Sequence, residues 1–245
     1  MRPFRQQIPL PGHVDLETGT RSIRIRLRSD TRARRYLLRI PAGTSEPVLT
    51  VPPSGDLARA ERFARQHVHW LVDRLESRPE RIPFAPSSTI PLRGADHLVI
   101  AAGGLRGLVS AVRDDSDNPS IFVPGAPEHL PRKLLTFLKA EARADLTSAC
   151  SRHAAKIGKR ITGISVRDTK SRWGSCAANG RLSFSWRLIL APPEILDYVA
   201  AHEVAHLAEM NHSDRFWTVC ERLAPHTPSA RKWLKDNGHR LHAYG

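Results

Sequence analysis

His202, Glu203 and His206 stand in the order His-Glu-x-x-His, within His202-Glu203-Val204-Ala205-His206. On a helix, residues four apart share a face, so both imidazoles can reach one ion. Glu203 lies beside the first histidine, where its carboxylate can take a proton from a water on that ion. The neighbouring residues point to a buried helix. Ile195, Val199, His202 and His206 form one stripe along it, and Leu196, Ala200, Val204 and Leu207 form a second. Two histidines and a glutamate are costly to bury there without compensation, and a metal ion supplies that compensation. The bland alternative is a pair of hydrogen-bonded core histidines with a capping glutamate, and it leaves the spacing unexplained.

Catalytic zinc commonly has three protein ligands and one open position. His212 follows His206 by six positions, after Leu207-Ala208-Glu209-Met210-Asn211. That gap lets the chain leave the helix, turn, and return an imidazole to the same ion. The resulting spacing matches that of metzincins, but Glu209 stands where those enzymes use a turn glycine. The only methionines are Met1 and Met210, so no Met-turn follows. Asn211 is expected to take the left-handed conformation at the turn, since asparagine tolerates it. Glu221, Asp214 and His226 are rival third ligands, while Asp197, Glu209 and Asp214 are candidates to orient an imidazole N–H. The expected chemistry is hydrolysis of peptide bonds in a peptide or protein substrate, with one zinc ion per chain and Glu203 as general base. A zinc ion kept only for structure would not need that base.

The elements that must position these residues divide into two textures. Residues 1–125 read as a β-rich region containing one long helix. Ser22-Ile23-Arg24-Ile25-Arg26-Leu27-Arg28 alternates strictly, as a half-buried strand does. Short strands are expected at Tyr36 to Ile40 and Val48 to Val51, then a helix from Asp56 to about Ser77. A Pro/Ser stretch from Pro83 to Pro91 separates these from strands at Leu98-Val99-Ile100, Leu108-Val109 and Ile121-Phe122-Val123. Residues 126–245 read as the domain that carries the site. A long helix runs from Pro131 to about Ile157, with Leu134, Leu135, Leu138, Ala142 and Leu146 as its stripe. Strands follow at Ile164 to Arg167 and Arg181 to Leu190, with a turn at Asn179-Gly180 between them. Pro192 and Pro193 suit the start of the metal helix. Ser213 caps a last helix with Phe216, Trp217, Cys220 and Leu223 on its apolar side. The expected fold class is α+β.

Composition agrees with a soluble globular protein, with 40% hydrophobic and 25% charged residues. No apolar run is long enough to span a bilayer. The segment Met1-Arg2-Pro3-Phe4-Arg5-Gln6-Gln7 leads into prolines rather than an apolar stretch, so no secretory leader is expected. Cys150, Cys176 and Cys220 are odd in number and far apart, which suits reduced thiols in a cytoplasmic protein. Nothing local supplies a base for Cys176, which receives no catalytic role. The net charge of +14 allows a nucleic-acid partner. Arg24, Arg26 and Arg28, with Arg21, Arg32, Arg34 and Arg35 close by, would form the basic docking face. A solvated basic surface is the plainer reading.

Several segments together resemble the YgjP-like metallopeptidase family. They are Lys170-Ser171-Arg172-Trp173-Gly174-Ser175-Cys176, Trp186 to Pro192, Tyr198-Val199, His202 to Leu207, Asn211-His212-Ser213 and Phe216-Trp217. The resemblance covers roughly residues 160–235, with a departure at Phe184-Ser185-Trp186, where the family commonly shows Leu-Asn-Trp. It implies a zincin-like fold with zinc on His202, His206 and His212 and with Glu203 as base. The family is also similar to SprT-like and Wss1-like proteases, which implies an alternative: a protease acting on proteins bound to nucleic acid. The hairpin from Arg172 to Leu190 precedes the metal helix and is expected to edge the cleft, where a strand can hold an extended peptide. Arg172 and Trp173 are the candidate substrate-binding residues there, Arg172 as an oxyanion stabiliser, and Trp186 is expected in the core.

Overall fold

The computed structural model describes residues 10–18, 22–41, 44–76, 80–104, 107–113 and 117–245. The expected contributions of Arg21, Ser77 and the Met1–Gln7 segment lie outside the described residues. The fold is mixed α+β, and the chain divides into two compact units, Met1–Arg78 and Pro79–Gly245.

In the first unit, strands β1 (His13–Glu17), β2 (Ser22–Ser29), β3 (Leu37–Arg39) and β4 (Val48–Val51) form a sheet in the order β1-β2-β4-β3. β2 runs parallel to β4, and the other pairs are antiparallel. The alternation in β2 sorts as expected, with Ile23, Ile25 and Leu27 buried and Arg24, Arg26 and Arg28 exposed. Each exposed arginine faces a carboxylate: Arg24 meets Asp15 at 3.0 Å, Arg26 meets Glu46 at 3.3 Å and Arg28 meets Asp30 at 3.5 Å. The face is therefore mixed in charge.

The helix expected from Asp56 is two helices, α1 (Leu57–Gln66) and α2 (Val68–Glu76). Asp56 caps α1 by accepting the Arg59 N–H at 2.8 Å. The break falls at His67, whose ring Nδ1 lies 2.9 Å from the Phe63 carbonyl and whose backbone has left the helical region. A side chain that bonds its own helix's backbone competes with the helical ladder. Ala60, Ala64 and Leu71 pack on the sheet's buried face, against Ile25 and Leu49 among others.

The second unit begins with a sheet of β5 (Thr89–Leu92), β6 (Ala95–Gly103), β7 (Ser110–Arg113) and β8 (Pro119–Pro124), in the order β5-β6-β8-β7. β5 begins inside the stretch from Pro83 to Pro91 expected as a spacer. The boundary read from the sequence at 125/126 falls inside this unit, because Ile90, Val99 and Ile121 share one core with helix α3 (Leu130–Lys156) and with Trp186 and Leu188. The β5–β6 turn is also docked by its backbone. Arg93 donates its N–H to the Ile189 carbonyl at 2.7 Å, and its guanidinium holds Glu141 and Asp145 of α3 at 2.8 Å each. Gly94 has φ +78, and a Cβ there would sit 2.9 Å from the Pro192 backbone, so the turn needs glycine on both counts.

A second sheet of β9 (Gly163–Arg167), β10 (Gly174–Cys176) and β11 (Arg181–Ser185) has the order β10-β11-β9, with β10 antiparallel and β9 parallel to β11. The strand expected to reach Leu190 stops at Ser185, whose hydroxyl accepts the Arg187 N–H and opens a short 3-10 segment, Trp186–Leu190. All five residues of that segment are buried. A short run buried on every side carries no periodicity to tell strand from helix. Helices α4 (Pro193–Ala205), α5 (Asp214–Leu223) and α6 (Thr227–Leu241) complete the unit. α6 was not expected from sequence: Gly238 sits inside it and few of its positions are strongly apolar. No described helix is long and apolar enough to cross a membrane.

Candidate metal centre

Helix α4 is buried along most of its length, with Ile195, Leu196, Val199, Ala200, Ala201 and Val204 in the core. It delivers His202 and Glu203 directly. His206 is its C-cap and keeps αR geometry at φ −63, so the four-residue spacing still places both rings on one side. Two tight turns follow, with Ala208 N–H bonding Ala205 and Glu209 N–H bonding Ala205 at 3.0 Å each. Asn211 is not left-handed: among the described non-glycine residues, positive φ occurs at Ser87, Arg93 and Asp117. The return is completed by Ser213, which caps α5 by accepting the Phe216 N–H.

This path brings one nitrogen from each of His202, His206 and His212 within 4.8 Å of the others. His202 Nε2 and His212 Nε2 are 3.1 Å apart. Among the described residues this trio is the group with metal-holding geometry, and Glu221, Asp214 and His226 are not part of it. His226 instead lies 2.8 Å from the Glu194 carbonyl through its Nε2. Phe216, fully buried, forms the floor, with its ring centroid 4.9, 4.5 and 4.8 Å from those of His202, His206 and His212. Trp217 forms a wall, stacked on His212 at 5.8 Å and carrying the Arg231 guanidinium 4.2 Å from its ring centre.

The donors suit a cation. His206 Nδ1 lies 3.1 Å from the Glu209 carbonyl, so the N–H belongs there and Nε2 is left as a bare donor for the cluster. Glu209 thus orients an imidazole as expected, but through its backbone rather than its carboxylate. Burial, followed by the charges of His206, His212 and Arg231, lowers the His202 pKa to about 4, which leaves the ring unprotonated at neutral pH. Asp197 does not serve the cluster; it accepts from Arg152 and lies 2.9 Å from His153 Nε2. Asp214 opens α5, and its carbonyl accepts the Thr218 hydroxyl at 2.9 Å.

Glu203 is 5% exposed. Burial raises its carboxyl to about 7, partly offset by the Arg172 charge. Its carboxylate lies against the backbone of β10: a Cβ added at Gly174 would sit 2.5 Å from Glu203 Oε1. Gly174 carries no role in the sequence reading, which sets it between strands; the structure puts it at the start of β10, where a glycine marks close approach of another group. Arg172 is exposed beside this strand. Trp173 is half-buried, stacked on His242 at 5.1 Å and fitted against Gly238. Trp186 is in the core at 1% exposure, edge-on to Phe84. The three thiols are unpaired, and burial, then the Glu203 charge, pushes Cys176 upward, away from nucleophilic use.

Comparison with known proteins places the chain in a family. The model of the YgjP-like metallopeptidase domain matches residues 34–237. No curated protein matches the chain. A solved structure, the metallopeptidase zymogen of Pyrococcus abyssi abylysin, is similar at 19% identity over 37% of this chain and 93% of that one, with a TM-score of 0.34, too slight a likeness to carry an argument. The family match spans well over half of the sequence and includes all three histidines and Glu203, and the chain therefore belongs to the YgjP-like metallopeptidases.

Proposed function

We propose that the protein hydrolyses peptide bonds at a zinc site held by His202, His206 and His212, in a zincin-like arrangement. The observation that carries the reading is the convergence of three imidazole nitrogens within 4.8 Å beside a buried glutamate. Three neutral nitrogen donors suit zinc and leave a position for substrate. A bound zinc ion supplies a Lewis acid that polarises the scissile carbonyl and acidifies water.

The chain's own residues divide the remaining work. His206 is held by the Glu209 carbonyl, and Phe216 fixes the three rings from below. Glu203 accepts the proton of the attacking water and passes it to the leaving amine. Burial raises this carboxyl to about 7 before any cation is bound, and a bound cation would favour the ionised form that acts as the base. The β10 edge, with Gly174 giving the carboxylate room, offers backbone groups to an extended peptide. Arg172, exposed and with its charge felt at Glu203, would meet negative charge developing on the substrate.

Purified protein should contain one zinc per chain by elemental analysis. His212→Ala should weaken zinc binding by more than about a hundredfold, beyond the usual loss of a merely supporting partner. Undiminished zinc in that variant would assign the third position elsewhere. Glu203→Gln should retain zinc and fold while peptide hydrolysis falls about 10²- to 10⁴-fold, the scale of a general base.

The same variant tests the buried carboxylate without metal. Folded Glu203 holds its proton up to about pH 7, whereas the unfolded chain releases it in the ordinary carboxylate range. The folded state is thus handicapped above pH 7 and relieved as pH falls through that window. With a chelator present, Glu203→Gln should be more stable to denaturant than wild type at pH 8, by at most about 3 kcal/mol, and the gap should narrow by pH 5. A gap that widens toward low pH would contradict the burial argument.

Gly174→Ala should displace the Glu203 side chain, because the new methyl occupies its place and the carboxylate end is the flexible partner. Hydrolysis should fall on the order of tenfold to a hundredfold, as for other misplacements near 1 Å, with zinc content unchanged. Full activity in Gly174→Ala would show that the base does not work from this position.

A further inference from the structure

The first unit contains a groove, about 340 Å³ in volume, that the hydrolytic site does not use. One side is Tyr36, Leu37 and Leu38, entering and forming β3; the other is Phe63, His67 and Trp70; Arg35 joins the lining. Phe63, His67 and Trp70 stand at i, i+4 and i+7, so they keep one face across the break between α1 and α2. β3 is the end strand of its sheet, and no described strand pairs with its outer edge. Leu37 and Trp70, 49% and 44% exposed, are large apolar side chains left open to solvent. An open strand edge beside a helix face with an apolar slot between them is a receptor for an added strand: backbone hydrogen bonds hold it, and the slot takes an alternate side chain.

Charge selects among peptides. Residues 1–78 contain 15 arginines and no lysine against 8 acidic residues. The arginines of β2 already face carboxylates. Arg34, Arg35 and Arg39, around and within β3, are exposed and pair with no carboxylate among the described residues. The rings themselves do not form a platform for bases. Phe63 is covered by Tyr36 at 5.7 Å and by His67 at 4.2 Å, and the Tyr36 hydroxyl accepts the Asp56 N–H at 3.1 Å. Stacking of a single-stranded nucleic acid needs open aromatic faces in succession.

We infer that this groove binds an extended acidic polypeptide segment as a strand added to β3, with one large apolar side chain seated against Trp70. It is a recruiting site for protein substrates, and in that sense rests on the peptidase reading. Its test does not depend on hydrolysis.

The full chain carrying Glu203→Gln would be titrated, by fluorescence anisotropy, into a fluorescein-labelled peptide in which glutamates alternate with valines around one central phenylalanine. Binding should weaken on the order of tenfold or more in Trp70→Ala, in Leu37→Asp and in Arg35→Glu. All three residues are at the surface, and circular dichroism would verify that each variant folds. A peptide with lysines in place of the glutamates should bind at least about tenfold more weakly. Amide hydrogen exchange in Leu37–Arg39 should slow when the acidic peptide is bound, the signature of a paired edge. The inference is overturned by no binding of the acidic peptide, by equal binding of the lysine peptide, or by binding that survives all three substitutions. It is equally overturned if oligo-dT binds in preference to the peptide through Trp70, or if Trp70→Ala instead abolishes self-association of the chain.

Discussion

A carboxylate and two imidazoles carried on a helix that is buried along most of its length set the terms for everything around them. Glu203 is buried and both imidazoles are partly so, and what water cannot solvate must be met by the protein or by a cation. The consequences are visible in opposite directions on adjacent residues. Burial drives His202 down to about 4 and Glu203 up to about 7, so both favour their neutral forms before any ion is bound. That state is what a cation can use: uncharged nitrogen donors, and a carboxyl whose ionisation a positive charge promotes.

The surroundings of α4 follow from that requirement. α3, 27 residues long, packs along it and also carries Glu141 and Asp145, which anchor Arg93 and so the sheet of β5 to β8. Phe216 and Trp217, consecutive residues of α5, supply apolar walls to the three rings without competing for their nitrogens. β10 closes the side where Glu203 lies, and it does so through backbone, because any side chain at Gly174 would occupy the carboxylate's place. A site that relies on tight packing in this way resists drift in the positions of its groups.

The first unit is built on a different plan, from a half-buried sheet covered on one face by α1 and α2. Its outward arginines in β2 are matched by acidic residues, whereas those about β3 are not, among the described residues. Charge summed along a sequence cannot distinguish those two situations, since an arginine across from Asp15 and an arginine on an open edge count alike.

Local periodicity is the reason that so much of the candidate metal centre is legible in the primary structure. His202 and His206 are four apart within an apolar helix, so their shared face follows from helix geometry alone, as do the stripe of α3 and the alternation of β2. The Ser213 cap likewise needs only its near neighbours. Other features required the folded chain. That His212, rather than Glu221, Asp214 or His226, joins the trio depends on how the chain turns after His206. That Glu209 acts through its carbonyl depends on the same turn. The meaning of Gly174, the division of the first helix at His67, the 3-10 segment after Ser185, and the transfer of β5 to β8 into the second unit all rest on contacts between residues far apart in sequence or on runs buried from every side. Sequence determines what recurs within a turn or a pleat; which distant group approaches a backbone, and which carbonyl an imidazole meets, is decided only when the core closes.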